Sequence, residues 1–515
     1  MLELKSKQTS EAFRYWVTDA YIYLMLFVFP LFTGFEGYAN VTLSKYLFLS
    51  AATVLWLLLL TIGKIRFHDK MKVGAPVLID SLILLYLICC GVSALASPDK
   101  GTSLLGAGRF DGLLTTVLCI LIFSGVSKNA RPKSSYIYAA AAAVSLNCIV
   151  AVLQILGYNP LWLFPGSFNF YDAGFEFSST FLGTIGNADL FSAYLCLMLP
   201  LMSVYYIMAS RRPLFFLPML LLNAFCLFVC GVSGGVLALV VTLLIAAPLI
   251  ITGGESLRRS LEIALLFTVA AFSALTIQTS ENVSGVVVRF AFSGQATVCA
   301  VLAAVLFLLR LIFCKSVFSR KQLQVFFAVL SVLTVICGVT VVYFWHGTEG
   351  TVYELSQVLH GNWDDHFGSS RILIWRKTLK LVPEKLLLGG GPGTLALRLQ
   401  IDFARYVAET GQTLATTVDN AHNDYLAILV NTGLFSLLAY LAAQLISLVK
   451  AAKKSRHSLF ASCLICGLLC YWLQAFFGLG LFLVSPMMWL LWGLLIPALK
   501  QPENNDIPEI KPAED

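Results

Sequence analysis

Long apolar runs separated by short polar segments repeat from about residue 20 almost to the end of the chain. Each run is about as long as a helix needs to cross the hydrocarbon of a bilayer. Their positions predict fourteen spanning helices, at about 20–37, 46–63, 75–97, 111–126, 135–157, 187–209, 213–230, 232–252, 259–277, 291–313, 325–345, 421–449, 458–477 and 479–499. One polar interval, 346–419, is far longer than the others. The chain therefore divides into transmembrane helices over 1–345, a large loop over 346–419, three more spans over 420–500 and a tail over 501–515. The expected fold is all-α, a polytopic transmembrane bundle whose long loop contains amphipathic helices.

Composition agrees and narrows the function classes. Hydrophobic residues make up 58% and charged residues 12% of the 515, with a mean hydropathy of +0.82. Soluble domains carry about 25% charged residues, so a water-soluble enzyme and a disordered chain are both excluded. The net charge of +7 does not signal nucleic acid, because the basic residues sit in short loops. Most of these loops fall on one side of the expected topology. By the positive-inside rule that side is cytoplasmic, as are both termini, and the long loop is extracytoplasmic. Only Lys45, Lys100, Arg109 and Arg289 lie in short loops on the opposite side. Arg109 and Arg289 either snorkel to headgroups or supply fixed positive charge to an outward-facing site. The 13 cysteines lie in or at the ends of apolar segments, which offers neither a disulfide framework nor a zinc site.

The candidate chemistry gathers in and beside the long loop. Arg371–Leu381 alternates basic and apolar residues at helical spacing. Ile372, Trp375, Leu379 and Val382 share an apolar face suited to the membrane interface, and Pro383 ends the helix. The run Gly389-Gly390-Gly391-Pro392-Gly393 reads either as a sharp turn or as backbone N–H groups offered to a phosphate. No Gly-Lys-Ser/Thr follows, so it is not a P-loop. Asn420 is a candidate N-cap, which puts His422 in the first turn of the next span. His422 is then either a hydrogen-bonded interfacial histidine or a base for a hydroxyl at the outer face. Asp364-Asp365-His366 is a contiguous charged run rather than a spaced ligand set, so no metal site is expected. The stretch 158–186 holds no Lys or Arg and seven aromatic residues (Trp162, Phe164, Phe168, Phe170, Tyr171, Phe175 and Phe177), suited to an interface or to sugar stacking.

Four segments together resemble the bacterial O-antigen ligase and O-antigen polymerase superfamily of membrane glycosyltransferases. Arg109-Phe110-Asp111-Gly112-Leu113 is similar to its Arg-x-x-Gly-Leu motif. Gly183-Thr184-Ile185-Gly186-Asn187 is similar to its Gly-Thr-x-Gly-Asn motif. Arg371-x-x-x-Trp375 followed by Gly389–Gly393 is similar to its loop signature. His422-Asn423 with Gly433-Leu434 is similar to its His-Asn … Gly-Leu stretch. Ser436 and Asn431 depart from the family's glycine and acidic residue. The resemblance implies a metal-independent, cofactor-free transferase in the cell's inner or plasma membrane, with no nucleic-acid partner. Its donor is a glycan on a polyprenyl diphosphate, and its acceptor is a hydroxyl of a glycan, lipid or protein, with membrane lipids around it. On this reading Arg371 and His422 are catalytic. Arg371, Arg289 and Arg109 hold the diphosphate, and Asn423, Gly391, Gly393 and Asp189 support them. A polysaccharide polymerase of the same superfamily and a polysaccharide transporter or flippase are the alternatives.

Overall fold

The computed structural model describes residues 2–67, 78–156, 158–164, 183–282, 285–290, 293–313, 319–399, 401–407, 412–454 and 458–500. A helix lies in each expected span. α1 (Leu2–Tyr23) continues through a π-turn, Leu24–Val28, into Phe29–Leu31. There follow α2 (Val41–Arg66), α3 (Leu78–Ala96), the short α4 (Lys100–Leu105), α5 (Leu113–Asn129), α6 (Ser134–Ile155), α7 (Ala188–Met208), α8 (Phe216–Val229), α9 (Ser233–Ile250) and α10 (Gly254–Thr276). The chain goes on through α11 (Gly294–Ile312), α12 (Arg320–Tyr343), the loop helices α13 (Thr351–Leu359), α14 (Arg371–Leu381) and α15 (Leu395–Arg398), then α16 (Asp424–Thr432), α17 (Leu434–Lys454), α18 (Leu459–Gln474) and α19 (Ser485–Lys500). Nine of the described helices are long and apolar enough to cross a membrane, and α5, α8 and α18 are apolar but shorter. A helix satisfies its own backbone, which lipid cannot do. The protein is a multi-pass membrane protein.

α7 is the innermost helix. Its whole apolar length is buried, and it packs along α18. Around it α5 packs on α19, α3 on α17 and α8 on α10. At the periphery α11 and α12 are apolar on every side yet bury only 6% and 0% of their apolar lengths. Such surfaces suit contact with lipid tails. Two charged clusters join helices. Glu262 on α10 accepts from Arg310 on α11 at 2.6 Å and pairs with Arg212 before α8. Lys45, expected in a loop, is instead buried within α2. Its Nζ donates to the carbonyls of Phe29 and Pro30 at 3.1 and 2.9 Å, where the helix extending α1 ends and its carbonyls lack partners.

Several local readings need correction. Two β-hairpins interrupt the helical pattern. β1 (Ile277–Asn282) pairs with β2 (Gly285–Phe290), and β3 (Asp402–Val407) with β4 (Gln412–Thr417). The expected span 421–449 is two helices, because Gly433 stands at φ +86° between α16 and α17. A Cβ there would lie 2.1 Å from the Leu387 carbonyl oxygen. α14 has the expected limits but turns a different face inward. Ile374 and Thr378 are buried, packed among Leu395, Leu399, Ile401, Val418, Leu426 and Val430, while Leu379 stays exposed. The loop thus has a small core of its own, which competes successfully with the interface for α14. Of the aromatic stretch, Phe164 is buried against Tyr38 and Trp162 is exposed. Phe168, Phe170, Tyr171, Phe175 and Phe177 lie outside the described residues.

Candidate active site

The candidate site forms at the N-terminal end of α7. Asn187 caps this helix by accepting from the Leu190 N–H at 3.1 Å, which puts Asp189 in its first turn. A carboxylate is favoured there by the helix dipole. Asp189 Oδ1 accepts from Arg371 Nη2 at 3.2 Å. Its other oxygen, Oδ2, lies 3.7 Å from His422 Nδ1. One carboxylate therefore stands between the two residues singled out as catalytic. All three side chains are between 19% and 30% exposed, enclosed enough for their charges to matter and open enough to meet a ligand.

Each partner is aimed by an unusual backbone. Gly368, Ser369 and Ser370 all have positive φ, between 59° and 64°, and they turn the chain so that Arg371 opens α14. The Gly368 N–H donates to Glu354 Oε2 at 3.0 Å. His422 does not lie in a helical first turn. It precedes the helix at φ +49°, and its N–H donates to Asn420 Oδ1 at 3.1 Å. Asn423, rather than Asn420, is the N-cap. Its Oδ1 accepts from the Leu426 N–H at 3.0 Å, so it fixes the helix start instead of touching the imidazole. Phe110, next to Arg109, is also left-handed. Non-glycine residues held in this region cost about 1–3 kcal/mol and gather at functional sites; here they flank every candidate cation with a described side chain. Trp375 Nε1 donates to the Ala421 carbonyl at 3.0 Å and ties α14 to the histidine loop.

The other expected residues take different places. Arg109 pairs with Asp419, three residues before His422, so its charge is already met and it anchors the same loop. Arg289 sits in β2 opposite Gln278, and its side chain lies outside the described residues. The glycines serve packing. The N–H groups of Gly390 and Gly391 donate to the Val430 and Asn431 carbonyls at 3.1 and 2.8 Å, at the end of α16. A Cβ on Gly391 would meet Ser103 Oγ at 2.1 Å, and one on Gly393 would meet Gly106 Cα at 2.8 Å. The turn reading holds for Gly390 and Gly391, whose N–H groups are occupied within the protein. Arg398 was not singled out by the sequence. Its Nη2 donates to Asn431 Oδ1 at 2.7 Å and to the Val430 carbonyl at 3.2 Å, a cation at a helix C-terminus. Its position close to a Gly-rich run was the available signal.

The Asp364-Asp365-His366 run resolves into local pairs. His366 Nδ1 lies 2.9 Å from Asp364 Oδ1, and Asp365 pairs with Arg376. Among the described residues there is no group of three or more His, Cys, Asp and Glu side chains able to hold a metal.

Residues 283–441 match the family model described as O-antigen ligase. The chain carries an O-antigen ligase domain. This is the superfamily to which the four motifs pointed, and the domain is that of a ligase-type membrane glycosyltransferase. The matched segment contains Arg289, Arg371 and His422, while Asp189 reaches the site from outside it. No curated protein matches the chain.

Proposed function

We propose that the protein transfers a glycan from a polyprenyl-diphosphate carrier to an acceptor hydroxyl at the extracytoplasmic face of the membrane. The observation that carries this reading is the convergence of Arg371 and His422 on Asp189. It brings a permanent cation and a proton acceptor to one partly open spot beside the O-antigen ligase domain's loop.

The reaction is a single displacement. The imidazole takes the proton from the acceptor hydroxyl as its oxygen attacks the anomeric carbon. The bond from that carbon to the phosphate oxygen breaks, and the diphosphate leaves with the electron pair. One displacement inverts the anomeric configuration. Arg371 stabilises the charge growing on the diphosphate, since guanidinium binds phosphate bidentately and stays charged. Arg289, from the hairpin β1–β2, is assigned as its companion, and Arg109 holds the histidine loop through Asp419. Asp189 faces Nδ1 of His422 and so favours the tautomer with the proton there. That leaves Nε2 as the base, worth about 10²–10⁴-fold in rate. The distribution of basic loops supports a topology with both termini in the cytoplasm and this site outside it.

The test is a purified protein supplied with a lipid-linked glycan and an acceptor. Arg371→Ala and His422→Ala should each lower turnover at least about a hundredfold, with EDTA without effect. Near wild-type turnover in both variants overturns the assignment. A product ladder instead of a single addition would make the protein the superfamily's polymerase.

A further inference from the structure

A second polar feature lies on the other side of the helix that follows His422. A cavity of about 80 Å³ is enclosed by α3, α5, α16, α17, α18 and α19. A water needs about 10–15 Å³ of such space, so several small ligands fit and a sugar ring does not. Its wall carries two carboxylates, Asp424 from the first turn of α16 and Asp111 from the segment before α5. Among the described residues no Lys, Arg or His lines it.

The polar atoms around this space are arranged as acceptors. Asp424 is shut off from bulk solvent, and no described residue hydrogen-bonds to its carboxylate. Its oxygens are pressed against the backbone of Gly480, where a Cβ would come within 2.2 Å of Oδ1. Thr116 Oγ1 donates to the Gly112 carbonyl at 3.4 Å, and Thr115 Oγ1 donates to that of Phe110. With their protons committed to the backbone, both hydroxyls can turn only lone pairs to a ligand. Asp111 Oδ1 is buried without a hydrogen-bond partner. An enclosed carboxylate with no cation beside it is strongly disfavoured unless a positive ligand neutralises it.

We propose that this cavity binds a monovalent metal cation, sodium by size, with the Asp424 carboxylate as its charged ligand and threonine hydroxyls as neutral ones. Hard cations take oxygen ligands. The absence of a third acidic or histidine side chain among the described residues argues against a divalent ion, and a carboxylate in a small space favours sodium over potassium. The bound ion holds down the first turn of α16, two residues from His422, and so steadies the histidine loop.

The experiment measures thermal unfolding of the purified full-length protein in lipid nanodiscs. Sodium, potassium and choline chloride are compared at one ionic strength and one pH, with magnesium as a fourth arm. The midpoint should rise with sodium concentration, ending about 3 °C or more above choline, with potassium weaker. Asp424→Asn should abolish the difference, whereas Asp365→Asn, on the exposed loop, should keep it. Equal midpoints in sodium and choline, or a response to magnesium alone, overturn the proposal. The wild-type titration decides even if Asp424→Asn fails to fold. The readout needs no turnover, so it stands or falls independently of the transferase reading.

Discussion

Asp189 is the residue on which the candidate site turns. It is the only described carboxylate that touches both Arg371 and His422, so it acts on the reaction through them. Asp189→Asn keeps the shape and removes the charge. Turnover should fall about ten- to a hundredfold, the range seen when a group that orients a functional histidine is lost. A steady-state comparison separates the roles. A fall in kcat shows that the imidazole is being positioned, and a rise in donor KM alone would confine Asp189 to Arg371. Asp189→Glu should restore part of the loss. Elsewhere, burial pushes the Asp111 carboxyl above its ordinary value, and Asp419 adds to the rise while Arg109 opposes it. Arg398 is pushed below its ordinary value by the same cause, desolvation.

At the scale of elements, the break at Gly433 decides how the histidine is presented. α16 is nine residues long, too short to span. Ser93 Oγ and the Gly391 N–H both donate to the Asn431 carbonyl, each at 2.8 Å, so the end of α16 is fastened to the end of α3. α17 then runs along α3 as a separate span. Gly433→Ala must place a Cβ at φ +86° against the Leu387 carbonyl. It should lower the melting midpoint by several degrees, corresponding to at least about 1–3 kcal/mol of strain. Gly338→Ala is the control. Gly338 lies inside α12, where an added Cβ would meet nothing within 4 Å, and the melting midpoint should be unchanged. Equal effects of the two substitutions would count against the conformational argument.

For the whole molecule, the proposed orientation puts loop 346–419 outside and the loop between α11 and α12 inside. Single cysteines can be introduced at Asn362 and at Ser319, each exposed, in a background without the native thiols. A membrane-impermeant maleimide should label the first in intact cells and the second only after permeabilisation. The reverse pattern would invert the topology and move the candidate site to the cytoplasm.

Much of this architecture was legible in the chain. Apolar runs of membrane length placed a helix in each expected span, because a backbone in lipid must bond to itself. Helical spacing alone set the limits of α14, and four short motifs marked the family. The hairpins, the inward face of α14 and the helix start at Asn423 were not legible. Each depends on partners that local periodicity does not encode.

The sequence by itself determined which segments enter the membrane and which residues carry reactive chemistry, since both follow from side-chain type and local spacing. Tertiary structure alone decided which of those residues meet. Arg371 and Asp189 are 182 positions apart, and only the packing of the loop core against the end of α7 joins them. It also turned the glycine run inward as packing and enclosed Asp424 behind the histidine loop. Ion pairs and cavities arise from the distance between elements, and no pattern along the chain measures that distance.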